Sequence, residues 1–527
     1  VLRLLHRDGR VGGRGRRRQV GDVRPERGPD GERGDGDGDA LLLRLGTLLG
    51  LPAIQALAGW KDRPVPYRTD HLPLAAPALD EIAAARVRDG KAPATAWAVF
   101  GPDGVVAAGA QGDDRVAAVP DTGTAFRVAS CTKSFTAATL LTFAAEGRLP
   151  LETPLTEVLD AEVLGASRAP TLGELASMAG GIPIDDPWAD RQESMTTADF
   201  DRLVGDGIRL AYEPGTTYEY SSFAYAILGR VLERVGGRPY PELVRERIID
   251  PLGLTGLGFD RRIDVPIAPG HARVEGAWVQ QPWAEPGAFS ALGGIIATPT
   301  ALATWAGWLA GAWRDDATDD VIAAGLRRTM QEPRTPVPGA GTTHYGLGLV
   351  VEEDPRHGRV ISHSGGYPGY GANMRWHAAS GIGVVVLENA RYSGATLPAT
   401  QALHLLLDSA LDPDDEPALW PETAAAREVV EDLLRSWDDA ALDAIAADNV
   451  ALDESFALRR VHAERLRDRI GLAADAPVPP LTAAAARSDS PAHLAWTVSG
   501  ARGAIRCELR MTPVREPRVQ TLHLRLT

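Results

Sequence analysis

Residues 128–147 read VASCTKSFTAATLLTFAAEG, and within them the spacing changes from strand-like to helix-like at Ser130. A short apolar approach (Phe126, Val128, Ala129) gives way to Phe135, Ala138, Leu141 and Phe143, which predicts a helix starting at Ser130. Residues three apart share a helix face, so Lys133 comes back over Ser130 across the first turn. Unpaired N–H groups and the macrodipole at a helix N-terminus favour a developing negative charge. A serine is a weak nucleophile until a base takes its proton, and a lysine can be that base once burial and the positive helix end lower its pKa. Ser130 and Lys133 therefore read as a nucleophile and its base. Lys61, Lys91 and Lys133 are the only lysines in the chain; its other fixed positive charges are arginines, which do not deprotonate and could not serve.

Two further stretches offer the remaining parts of an acyl-transfer site. In Glu213-Pro214-Gly215-Thr216-Thr217-Tyr218-Glu219-Tyr220-Ser221-Ser222 a turn delivers an aromatic hydroxyl just before a helix predicted from Phe223. Tyr220 is the second candidate catalytic residue: two cations near its hydroxyl would lower its pKa and let it shuttle a proton between Ser130 and a leaving group. The other stretch is His363-Ser364-Gly365-Gly366-Tyr367-Pro368-Gly369-Tyr370-Gly371, expected to follow a strand and open the next turn. Glycines there let a substrate approach the backbone closely. If that strand flanks Ser130, the N–H groups of Gly366 and Ser130 together form an oxyanion hole.

Composition excludes several classes. A chain of 527 residues, 44% hydrophobic, is long enough for several domains and a large core. A formal net charge of -15 argues against a nucleic-acid partner, which would need concentrated Lys and Arg. Cys131 and Cys507 lie too far apart in sequence to suggest a disulfide framework or a Cys/His metal site; Cys131 is expected to be buried beside the nucleophile. No metal or other cofactor is called for. The expected partner is a small-molecule acyl substrate.

In chain order, residues 1–39 are mostly Gly, Arg and Asp and are expected to be disordered, a composition that also fits a start site placed too far upstream. Residues 40–75 form an N-terminal extension whose apolar run, 40–58, ends in Ala56-Leu57-Ala58. That run reads either as a signal peptide or as a helix packed on the core. The acidic residues upstream and the near absence of a positive region favour the helix, and with it a cytoplasmic location over export. No later stretch is long and apolar enough to span a bilayer.

From 76 to 410 the pattern is globular. A helix is predicted over 76–88, with strands at 94–100 and 105–110 joined by the turn Gly101-Pro102-Asp103-Gly104. Helices are predicted over 171–178, 200–204 and 223–235. Strands return at 345–352, 360–363, 372–376 and 383–387, with short links that imply antiparallel neighbours, before a helix over 397–407. Residues 411–423 are acidic and proline-punctuated, as a linker would be. Residues 424–527 then read as a small α+β domain with helices at 424–437, 439–447 and 459–470 and strands at 492–499, 504–512 and 519–526.

Taken together, Ser-x-x-Lys at 130–133, Tyr-Ser-Ser at 220–222 and His-Ser-Gly-Gly at 363–366 resemble, in order and spacing, the serine β-lactamase and penicillin-binding-protein-like family, nearest its class C and esterase branch. Ala179-Gly180-Gly181-Ile182-Pro183, Asp250-Pro251-Leu252-Gly253-Leu254-Thr255 and Ala291-Leu292-Gly293-Gly294-Ile295-Ile296-Ala297-Thr298 are similar to that family as well. The resemblance implies an α+β sandwich in which an antiparallel sheet is flanked by helices, with an all-helical subdomain and a cleft between them.

By position, the resemblance makes Ser130 the acylated nucleophile, Lys133 its proton acceptor or orienter, and Tyr220 the general base and acid. It makes His363, Ser364 and Gly365 the substrate-side strand, with the Gly366 N–H as oxyanion donor. Two departures shift the expected substrate. Ser222 stands where the family often has Asn, so it offers no amide to a substrate acylamide or to Lys133. His363 stands where β-lactamases and transpeptidases carry Lys, so it grips a carboxylate less well at neutral pH. The expectation is a serine hydrolase acting on esters, with β-lactamase, D-alanyl-D-alanine carboxypeptidase or D-aminopeptidase activity as alternatives and a non-catalytic ligand-binding protein as the rival of another class.

Overall fold

A computed structural model describes residues 67–354, 357–410, 419–473, 486–488 and 490–526. The expectations for 1–39, for 40–66 and for the linker at 411–418 fall outside the described residues. Helix α1 (Ala76–Arg88) leads into the hairpin of β1 (Ala94–Gly101) and β2 (Gly104–Gly112), and α2 (Thr132–Ala145) follows the turn that carries Ser130. Next come α3 (Ser222–Gly236) and α4 (Pro299–Ala310). Six strands succeed them: β3 (Thr335–Pro336), β4 (His344–Tyr345), β5 (Val350–Asp354), β6 (Gly358–Tyr367), β7 (Tyr370–His377) and β8 (Gly383–Glu388), with α5 (Thr396–Ala410) closing the unit.

These strands form one eight-stranded sheet in the order β3-β4-β5-β6-β7-β8-β1-β2, antiparallel at every step. Side chains alternate between the faces of a strand, and both faces of β1 are buried. Trp97 and Val99 of β1, with Val384 and Val386 of β8, pack with Leu79, Leu403 and Leu407 of α1 and α5. Ala96, Ala98 and Phe100, with Val385 and Leu387, belong to the other cluster, which contains Phe135 of α2 and Trp305 of α4. The sheet is thus covered by helices on both sides, a mixed α and β sandwich. Glu388 of β8, fully buried, ties α1 to the sheet: Arg86 donates to both its carboxylate oxygens, at 2.7 and 2.9 Å.

Helix α2 is buried nearly all round, which marks a central helix rather than a surface one. Its polar side chains are satisfied inside the protein. The Thr136 hydroxyl lies 2.7 Å from the Ala291 carbonyl, Trp305 donates to the Ser134 hydroxyl at 3.0 Å, and the Ile295 N–H donates to Thr132 at 3.1 Å.

The structure departs from the sequence reading in several places. The stretch 345–352 is two strands rather than one, because Gly346 to Leu349 turn between β4 and β5; Gly348 has φ of +70°, and a Cβ there would lie 2.6 Å from the Lys133 carbonyl oxygen. The strand at 360–363 runs on through Tyr367, so His363 to Gly366 lie within β6 and the turn comes at Pro368-Gly369. The middle of the chain is mainly but not wholly helical. It carries short pairings such as Val163–Leu164 with Ile208–Arg209 and His271–Val274 with Ala277–Gln280.

After residue 418, α6 (Pro421–Arg435) and α7 (Phe456–Ile470) precede β9 (Ala486–Arg487), β10 (His493–Gly500), β11 (Gly503–Met511) and β12 (Val519–Leu526), which pair in that order. Between α6 and α7 lie Asp439–Ile445 and a further short helix, Asp448–Asp453, that periodicity did not show. Val430, Leu434, Leu466, Ile470, Trp496, Ile505 and Leu509 form an apolar cluster within this segment. Among the described residues no helix is long and apolar enough to cross a membrane.

Candidate active site

Ser130 lies in a short 3-10 turn, Ala129–Cys131, that runs directly into α2 at Thr132, two residues after the predicted start. Ala129 has φ of +49°, a left-handed conformation unusual for a residue with a side chain. One glycine leaves room for that turn: a Cβ on Gly365 would lie 2.3 Å from the Val128 carbonyl oxygen and 3.2 Å from the Ser130 nitrogen. Strand β6 therefore runs directly against the nucleophile turn, and the thiol of the buried Cys131 reaches the His363 carbonyl at 3.3 Å.

Lys133 is fully buried. Its Nζ lies 2.9 Å from the Ser130 hydroxyl, 3.0 Å from the Ser222 hydroxyl and 3.1 Å from the Leu292 carbonyl oxygen. Burial lowers its pKa below the usual lysine range, and the carboxylates of Asp186, Asp190 and Asp185 oppose that shift. A low Tyr220 pKa depended on two cations near its hydroxyl. The structure supplies Lys133, 5.1 Å from the ring centroid, but His363 is not the second. Burial first and Asp186 next hold Tyr220 well above the usual phenol range, against a hydrogen bond with Ser130.

His363 is 2% exposed, and burial followed by the charge of Lys133 lowers its pKa to about 3. The neutral ring has a single arrangement that satisfies both neighbours. Nδ1 lies 2.7 Å from the Ser364 carbonyl oxygen, which only accepts, so Nδ1 carries the proton. Nε2 then accepts from the Tyr345 hydroxyl at 2.9 Å. Ser364 is exposed and Gly366 half-buried on the same strand, and the Tyr392 ring fills the space a Cβ on Gly366 would take. Ser130, Lys133, Tyr220, Ser222, His363, Gly365 and Gly366 thus meet at one place.

Several residues of this place carried no mark in the sequence. The Asp185 carboxylate accepts from the Ser221 hydroxyl at 2.6 Å and from the N–H groups of Ser222 and Phe223 at 2.7 and 3.1 Å, capping α3. Asp186 accepts from the Ser222 hydroxyl at 2.7 Å, and Asp190 accepts from Tyr392 at 2.8 Å. Asp185-Asp186-Pro187 reads locally as a helix start, and no spacing rule links it to Ser222, 36 residues on. Tyr345 and the Leu292 carbonyl were equally silent, being one strand residue among several and one backbone group.

A serine held by a buried lysine, beside a tyrosine and a glycine-bearing strand edge, is the arrangement of a serine hydrolase built on an antiparallel sheet. The chain belongs to the Beta-lactamase family, whose model matches residues 79–408. It is 24% identical over 318 residues to penicillin-binding protein 4* of Bacillus subtilis, covering 56% of this chain and 68% of that one. It is 26% identical over 334 residues to the esterase EstB of Burkholderia gladioli, covering 53% and 81%. Its fold is also that of the octameric penicillin-binding protein homologue from Pyrococcus abyssi, with a TM-score of 0.57 at 19% identity over 84% of this chain and 100% of the other.

Proposed function

We propose that this serine hydrolase cleaves a small ester, or a similarly activated acyl compound, through an acyl-enzyme on Ser130. The observation that carries the reading is the 2.9 Å contact between Ser130 and a fully buried lysine whose pKa is lowered. In the neutral form Lys133 takes the Ser130 proton as Oγ bonds to the substrate carbonyl carbon. The carbonyl oxygen becomes an oxyanion, for which the N–H groups of Ser130 and Gly366 are the donors. Tyr220 stays protonated at neutral pH, so its part is to give a proton to the departing alkoxide and take one back from the Lys133 ammonium. Water then repeats the sequence on the acyl-enzyme, releasing the acid and restoring Ser130.

Support for an ester over a β-lactam or a peptide with a terminal carboxylate comes from His363. It is buried and uncharged, so it offers no cation to an anionic substrate. The similarity to EstB points the same way. Hydrolysis of a short-chain chromogenic ester by the purified protein tests the reading. Ser130→Ala is expected to reduce kcat/KM by at least about 1000-fold. An unchanged rate in that variant overturns the assignment.

A further inference from the structure

We infer that Asp186 is a positioning residue for the base: through the Ser222 hydroxyl it fixes which way the Lys133 lone pair points. The inference rests on Lys133 being the base, as argued above, and goes beyond it by assigning a residue outside the three sequence stretches. An amine on a four-carbon stem has three remaining tetrahedral positions, and Lys133 has three oxygen neighbours to meet them: Ser130, Ser222 and Leu292. The Leu292 carbonyl can only accept, so it takes one N–H.

Ser222 is the ambiguous neighbour, because a hydroxyl can donate or accept. Left to itself, it could donate its proton to a neutral Lys133, occupying the lone pair that must receive the Ser130 proton. Asp186 removes that option. It accepts from the Ser222 hydroxyl at 2.7 Å, so the Ser222 hydrogen lies on Asp186 and the Ser222 lone pair faces Nζ. Lys133 then spends its second N–H on Ser222. The one position left, a lone pair in the amine and a proton in the ammonium, faces Ser130 at 2.9 Å.

Ser222 can therefore serve beside Lys133 without an amide, provided a carboxylate stands behind it. Asp186 is held for this task by its neighbour. Asp185 accepts from the Ser222 N–H and the Ser221 hydroxyl, so the two aspartates grip the same turn from one side.

The test is a double-mutant cycle on ester hydrolysis, with folding of each variant checked by thermal unfolding. On the pH-independent plateau of kcat/KM, Asp186→Ala is expected to cost about tenfold or more when Ser222 is present, and less than about twofold in the Ser222→Ala background, where no hydroxyl needs orienting. Equal factors in the two backgrounds overturn the assignment. Asp186→Asn keeps an acceptor without the charge and serves if the alanine variant does not fold. It should retain most activity while the acid limb of kcat/KM moves to lower pH, because a negative charge that holds the Lys133 proton is gone. A limb that stays put, or a loss as large as that of alanine, counts against the inference. Ser130→Ala separates two failures: hydrolysis that survives it overturns the reading of the site, whereas Ser130-dependent hydrolysis with multiplicative losses overturns only the role of Asp186.

Discussion

Asp190 is 4% exposed, and the hydrogen bond from Tyr392 does not compensate for burial. Burial, then the charge of Asp186, raises its pKa to about 7 from the usual 3.8. The folded protein therefore binds a proton between pH 4 and 7 that the unfolded chain has released, so this group stabilises the fold in acid and that contribution is lost as pH rises through about 7. Asp190→Asn should flatten the dependence: measured by urea unfolding, the drop in stability between pH 5 and pH 8 should shrink by about 2 kcal/mol. An undiminished drop would place the titration elsewhere. At this scale the sequence was legible where a contact is local. Ser130 and Lys133 sit one helical turn apart, so spacing alone brings them together. Ser222 and Asp186 meet only because α3 starts beside a turn 36 residues earlier, and nothing in either stretch announces the other.

Among the elements, periodicity gave α1 and the hairpin of β1 and β2 to within about two residues at either end. It did so because these elements have clear boundaries: Pro77 at the start of the helix, Gly101 to Gly104 between the strands. It was least informative around the site. Residues 345–352 alternate as a strand does, yet Gly348 bends to let the chain pass the Lys133 carbonyl. Ser364 to Gly366 look like a turn because they are small, yet pairing with β7 keeps them extended: Ser364 faces Asn373 and Gly366 faces Gly371. Glycine there serves close approach of β6 to the Ser130 turn rather than chain reversal. Local composition cannot distinguish the two uses, since the reason for the glycine lies in a different part of the chain.

For the whole molecule, the family and the sandwich followed from three short motifs in order, because the site needs parts from the first helix, the middle and the late strands at once. The role of the last hundred residues did not follow. We propose that 424–527 is a domain of its own, supported by the four-stranded sheet and by an apolar cluster that draws on α6, α7 and β10 to β12. Truncation after residue 415 should then leave a soluble protein that unfolds cooperatively and retains Ser130-dependent hydrolysis. An insoluble product would mean that the two parts share a core.

On the proposed mechanism the neutral amine of Lys133 takes the Ser130 proton, and Lys133→Arg isolates that step because arginine keeps the charge and cannot deprotonate. Ester hydrolysis by the folded variant, measured across pH beside the parent, is the measurement. A loss of about 1000-fold in kcat/KM at every pH is predicted. Hydrolysis at the parent rate would contradict the account and leave Lys133 as an organiser of the site.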